Sequence, residues 1–104
     1  MTFDAYINME ADARHPDDHT RAMIRTQPHH WNPTGNINGG VLISLADNLA
    51  TGVAGHAYYD KTGEEAFLVG VDLHAVMVAN QLGGTIYAQG TPVKVGRRIT
   101  VVRT

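Results

Sequence analysis

The 104-residue chain contains no cysteine, which excludes disulfides, thiolate metal sites and a cysteine nucleophile. A cysteine-free composition is compatible with a reducing cytoplasm, the compartment expected here. Charge is also scarce: charged residues make up 17% and the formal net charge is -2. Apart from Lys94, Arg97 and Arg98, the lysines and arginines form no dense cluster. Neutralising the phosphates of a nucleic acid needs a basic face, so nucleic acid is not an expected partner. No apolar run approaches the roughly 18 residues that span a bilayer, so no membrane partner is expected either. The N-terminal stretch MTFDAYINMEADARHPDD is acidic and lacks the basic start and apolar centre of a signal peptide.

Hydrophobic residues make up 43%, the level of a globular chain rather than a disordered one. The length allows a single domain over residues 1–104. A domain this small buries a modest share of its surface, so a partner subunit is expected to add buried area. Phe3, Tyr6 and Ile7 share one apolar face and predict a short leading helix over Phe3 to Arg14. His15-Pro16-Asp17-Asp18 reads as a turn, and Thr20 to Gln27 as a first strand with Ala22, Ile24 and Thr26 on one side. PHHWNPTGNINGG, residues 28–40, is a loop rich in Pro, Asn and Gly. Val41 to about His56 has the length and content of a helix, and Tyr58 to Glu65 reads as a polar connection. Strands are then expected over Phe67–Val78, over Thr85–Val95 with a bend near Gly90 and Pro92, and from Arg98 to Thr104. Short turns demand antiparallel pairing. The expected fold is therefore α+β, an antiparallel sheet wrapped around one long central helix.

That helix is apolar around most of its circumference, and its polar residues Ser44, Asp47, Asn48 and Thr51 fall on one narrow face. Such a stripe either faces water or lines a cleft or subunit boundary. In the second case Asp47 would be partly desolvated and suited to act as general base or nucleophile. Gly39 and Gly40 precede the helix, where backbone amides lack intrahelical partners and the helix dipole is positive. With no side chains there, a thioester carbonyl could approach those amides as in an oxyanion hole. Alternatively the glycines simply make the turn tight. Gly39 and Asp47 are eight residues apart, ~12 Å of helix rise, and an acyl thioester lying along the first turns would run between them.

Asn32-Pro33-Thr34-Gly35-Asn36-Ile37-Asn38-Gly39-Gly40, followed by Leu45-Ala46-Asp47, resembles the N-x-x-G-x-x-H-G-G…L-A-D signature of hotdog-fold acyl-CoA thioesterases. The phenylacetate-degradation (PaaI-like) group is the nearest in pattern. Val71-Asp72-Leu73, Gly83-Gly84-Thr85 and Val95-Gly96-Arg97-Arg98 are similar to that group's V-D-L…G-G-T and G-R-R segments, so the resemblance runs over about residues 20–104. It implies hydrolysis of an acyl-CoA to a free acid and coenzyme A, with no cofactor beyond the coenzyme A of the substrate. Asp47 would be the catalytic carboxylate and the Gly39 amide would polarise the thioester carbonyl. Asn32 would orient the carbonyl or the water. Asn38, Gly40 and Thr51 would contribute to substrate binding, and Arg97 and Arg98, with Lys94, would meet the coenzyme A phosphates. The basic trio reads equally as a solvated hairpin. The family's site lies at a dimer interface, so a homodimer or homotetramer is implied. Two features depart from the pattern. Asn38 stands where the family has His, keeping hydrogen bonding but losing titration. The pattern also continues beyond Thr104, so the last strand or strands are expected to be truncated.

His29 and His30, with His15 and His19 upstream, lack metal-ligand spacing and are expected to be loop histidines, so no metal is expected. Ser44 lacks the G-x-S-x-G frame of a serine hydrolase. The rival functions are an acyl-CoA or small-ligand binding module without chemistry, and a hotdog dehydratase, for which the expected His partner is not evident.

Overall fold

Asn38 starts the dominant element. Its backbone is extended (φ -61°, ψ 131°) and its side chain accepts a hydrogen bond from the Gly40 amide, the arrangement of an N-cap. From there α2 runs Gly39–Thr62 in the computed structural model, which describes residues 1–76, 79–96 and 98–104. Gly63 ends the helix in the left-handed conformation (φ 72°), and its amide bonds back to the Tyr59 carbonyl at 2.7 Å. The expected exit near His56 is therefore one turn and a half too early. Tyr58 to Thr62, read as a polar connection, continue the helix until a residue able to adopt positive φ is met.

Before α2 come α1 (Phe3–Tyr6), β1 (Met9–Ala11), β2 (Arg21–Arg25) and a 3-10 turn (Pro28–His30); after it come β3 (Thr85–Gln89), β4 (Thr91–Val95) and β5 (Thr100–Arg103). The leading helix is thus shorter than expected. Asn8, at φ 61°, turns the chain out of α1, and Met9–Ala11 pair antiparallel with β2 instead. β1, β2 and β3 form one antiparallel sheet in that order, with Ile24 opposite both Met9 and Ile86. β4 and β5 form a second antiparallel pair. The expected single strand over Thr85–Val95 divides at Gly90. A Cβ there would stand 3.0 Å from Cγ2 of Val53, so the backbone passes close to α2 and a side chain would have to push Val53 aside. One long helix packed against antiparallel sheets is the observed α+β architecture, with two sheets where one was expected.

The core lies between α2 and the three-stranded sheet. Leu45, Leu49 and Val53, spaced four apart, point one face of α2 onto Ala22, Ile24, Ile86, Ile37 and Ile7. Burial of each larger aliphatic side chain contributes about 1.5–3 kcal/mol. Ala22 and Ile24 face the core as expected, but Met23 between them is buried as well, so β2 is covered on both faces there, and Thr26 lies outside the core cluster.

Residues 67–76, expected as a strand, enter no ladder with any described residue; Met77 and Val78, the end of that expected strand, lie outside the described residues. Its apolar residues are left uncovered: Phe67, Val69, Val71 and Leu73 are all exposed, Phe67 to 93% and Val71 to 79%, and only Leu68 is partly buried. Among the described residues no helix is long and apolar enough to cross a membrane.

Candidate functional site

The Pro-Asn-Gly loop folds onto itself before α2. Trp31 and Ile37 form an isolated antiparallel bridge, the Asn32 amide donates to the Asn36 carbonyl at 2.8 Å, and Gly35 takes φ 84° between them. Asn32 Oδ1 accepts from the Thr34 amide (3.1 Å) and the Thr34 hydroxyl (2.6 Å), a side-chain-closed turn. This fixes which end of the Asn32 amide does what. The oxygen is consumed by the loop, while the Nδ2 group has no acceptor among the described residues. The Trp31 ring packs against Gly83, and its indole N–H donates to the Thr26 hydroxyl at 3.1 Å.

At the start of α2, Asn38 Oδ1 accepts from the Gly40 amide at 2.7 Å, and Gly40 has no Cβ to obstruct it. The Val41 and Leu42 amides reach the Asn38 carbonyl. The Gly39 amide has no acceptor among the described residues. Of the two glycines, then, Gly40 is occupied as part of the cap and Gly39 is the available donor. Asn is among the best N-caps, which accounts physically for its presence at this position without any titratable function.

Asp47 is half-buried, and its carboxylate accepts no hydrogen bond from the described residues. The polar stripe on which it lies is neither fully solvated nor buried in the core. The extended segment 67–73 crosses it: Leu68 touches the position of Gly55, and a Cβ on Gly70 would stand 3.2 Å from Asp47 Oδ1. Asn48 donates to Asp4 of α1 at 2.6 Å, so this part of the stripe holds the N-terminus. The Thr51 hydroxyl donates to the Asp47 carbonyl at 3.0 Å, its own helix backbone rather than the carboxylate.

The structure groups Asn32, Asn38, Gly39 and Gly40 at one end of α2, but not with Asp47. Eight residues of α-helix separate Gly39 from Asp47 by ~12 Å along the axis. A carbonyl carbon within ~3–3.5 Å of an attacking atom cannot also keep its oxygen on an amide that far away. A single thioester that used both groups would have to span that separation or draw them from two copies of the chain.

The basic hairpin is at the opposite end. Lys94, within β4, and Arg98, beyond it, are exposed beside the β4–β5 turn, which is closed by a Gly96 amide to Ile99 carbonyl bond of 2.9 Å. Arg97 lies outside the described residues. Lys61, which sequence reasoning passed over, donates to the Val95 carbonyl at 2.6 Å and joins this turn to the last turn of α2. A lysine in a helix's last turn was the available signal. Fourteen residues from Asp47, Lys61 lies ~21 Å further along the helix.

Four of the six histidines form two pairs. His29 and His30 have ring centroids 3.9 Å apart, and His19 stacks on His56 at 4.1 Å. Among the described residues no three His, Cys, Asp or Glu side chains converge as metal ligands would.

No family model matches the chain. Two curated proteins from Mycobacterium tuberculosis do: “Putative esterase MT1895” from strain CDC 1551 / Oshkosh and “Putative esterase Rv1847” from strain ATCC 25618 / H37Rv. Each is 28% identical over 98 residues, which is 94% of this chain and 69% of the relative. No solved structure matches.

Proposed function

We propose that the chain is a hydrolase of acyl thioesters, with an acyl-CoA as substrate and a free acid and coenzyme A as products. The likeness to two proteins named as esterases supports hydrolysis in general. The thioester and the coenzyme rest on the resemblance of residues 32–47 to the hotdog thioesterase signature, and an α+β fold built on one long helix is compatible with it. The observation that carries the reading is the helix itself. It presents an uncapped Gly39 amide at its positive end and, two turns on, a half-buried carboxylate without a hydrogen-bond partner among the described residues.

In this proposal the Gly39 N–H holds the carbonyl oxygen and stabilises the oxyanion as it forms. Asn32 Nδ2, left free by the loop, orients the carbonyl or the water. Asp47 takes a proton from the attacking water, or attacks the carbonyl carbon itself and is released by water. The carbon–sulfur bond breaks, the thiol takes the proton, and the acid leaves. Because Gly39 and Asp47 of one helix are too far apart to share one carbonyl, the working site takes the amide from one copy and the carboxylate from another. A homodimer, or a tetramer of two such dimers, is the assembly this requires. In this proposal Lys94 and Arg98, with Lys61 beside them, would meet the coenzyme A phosphates, and Arg97 belongs to the same sequence cluster.

The deciding experiment is thiol release from a panel of aryl and short-to-medium acyl-CoAs, with Asp47→Asn beside wild type. Asn keeps the shape of Asp47 and removes its basicity, so turnover should fall at least ~100-fold. Release that persists in the variant would remove Asp47 from the mechanism. A folded wild type that shifts its melting temperature with acyl-CoA yet releases no thiol would be a binding module.

A further inference from the structure

His30 lies eight residues before the cap of α2, on a loop where histidine would ordinarily be solvated. Its side chain is instead among the most deeply buried in the protein, 1% exposed. Both ring nitrogens are engaged. The Gln27 amide donates to Nδ1 at 2.9 Å, and Nε2 stands 2.9 Å from the Ile7 carbonyl oxygen. A backbone N–H can only donate and a carbonyl only accept, so Nδ1 is bare and Nε2 carries the proton; the ring is neutral. His30 is also tied through its backbone. Its carbonyl accepts from the Asn38 amide at 2.9 Å, and Asn38 in turn caps α2 at Gly40. Ile7, at the other end of this chain of contacts, belongs to the core cluster.

We infer that His30 is a positioning residue for the amide donor at the start of α2. Its buried neutral ring ties the loop that ends in Asn38 and Gly39 to the core at Ile7. The catalytic meaning of this role rests on the thioester hydrolase reading, whereas the positional coupling stands independently of it. Asn38 sits on irregular backbone immediately before Gly39, the first residue of α2, and without the ring the loop that sets this start has one fewer anchor to the α1–β1 junction. Burial, and secondarily the neighbouring His29 ring, hold the basicity of His30 below that of an ordinary histidine. The titratable groups facing it are His29 and, packed edge-on against His29 from α1, Tyr6; among the described residues no carboxylate is hydrogen-bonded to the ring. Protonation would set an N–H at Nδ1 against the Gln27 N–H, donor against donor, and break one of the two side-chain ties.

The test uses the 15N-labelled full chain. In wild type, acid titration of the His30 ring should move the Asn38, Gly39 and Gly40 amide resonances with the same midpoint. Amides that ignore that titration would overturn the inference. His30→Ala should displace those three resonances in a folded protein and lower kcat by up to about 100-fold, the scale of a misplacement near 1 Å, with a smaller change in KM. His30→Gln, whose side-chain NH2 can still donate to the Ile7 carbonyl, should recover much of the loss. Unmoved amides and unchanged kcat in folded His30→Ala would equally overturn it. If His30→Ala does not fold, the wild-type titration and His30→Gln decide. If wild type releases no thiol at all, the hydrolase reading fails while the amide titration still tests the coupling.

Discussion

Gly70 lies over the carboxylate of Asp47, close enough that a methyl group on Gly70 would stand 3.2 Å from Oδ1. The two residues are far apart in sequence and meet because the segment after α2 doubles back along the polar stripe. A side chain at position 70 acts on Asp47 directly, without touching the core. Gly70→Ala should shift the carboxylate by a few tenths of an ångström and lower kcat several-fold, and Gly70→Val should do more, up to about 100-fold. Thermal melts of both variants should stay near wild type, because Gly70 is exposed and its segment joins no ladder among the described residues. Full activity in Gly70→Val would mean that Asp47 works in another orientation or not at all.

The amide of Gly39 can be removed without breaking α2. Position 39 is the first helical residue after the cap, where proline is well tolerated because its missing N–H has no intrahelical partner. Gly39→Pro should therefore retain helicity by circular dichroism and lose about 100- to 1,000-fold in kcat, the scale of one oxyanion donor. Mixing Gly39→Pro with Asp47→Asn subunits under conditions of subunit exchange should restore activity that neither shows alone. Absence of complementation between subunits shown to mix would contradict a site shared by two copies.

Phe67, Val69, Val71 and Leu73 form a row of exposed apolar side chains along the segment that follows α2. Such a row is an association surface in waiting. Val71→Lys, which places a charge in the middle of the row, should shift the protein towards monomer in analytical ultracentrifugation and reduce turnover at low protein concentration. A Val71→Lys protein that keeps the wild-type sedimentation coefficient at micromolar concentration would locate the interface elsewhere.

Asp12 provides the clearest pH dependence. The Arg14 side chain donates to both of its oxygens (3.1 and 2.9 Å), and the Arg14 guanidinium lies 3.4 Å from the centre of the Tyr87 ring. Chiefly through that side-chain hydrogen bonding, the Asp12 carboxyl is held at about 2, below its ordinary 3.8. A carboxylate depressed on folding stabilises above its unfolded value and loses that contribution as pH falls through the folded one. Urea midpoints should thus decline between pH near 3.8 and about 2, and Asp12→Asn should be less stable at neutral pH with a weaker decline over that window. His30 has the same sign higher up the scale. Its lowered value means that stability falls as pH drops below the ordinary histidine value of 6.5.

What the sequence determined by itself was local. The spacing of Leu45, Leu49 and Val53, and the apolar run around them, specify α2, because a helix satisfies its backbone within its own segment. Alternation specifies β2 and β3 for the same reason of period, and it assigns Ala22 and Ile24 to the core correctly. The end of α2 at Gly63 was also written locally, in a glycine at a left-handed position, although the polar look of residues 58–62 concealed it. Pairing was not local. A period of two says which side chains share a face but not which edge the backbone will meet, so residues 67–76 read as a strand and yet join none among the described residues. Gly90 reads as a bend, and only the proximity of Val53 shows that the chain changes sheets there. The same distinction divides the candidate site. Gly39, Asn38 and Asp47 were legible because they lie on or beside one helix. The Asn38 cap that occupies Gly40 and leaves Gly39 as the open amide is local too. Tertiary structure alone buried His30 against Ile7 and laid Gly70 across Asp47, since each of these depends on where distant segments of the backbone come to rest.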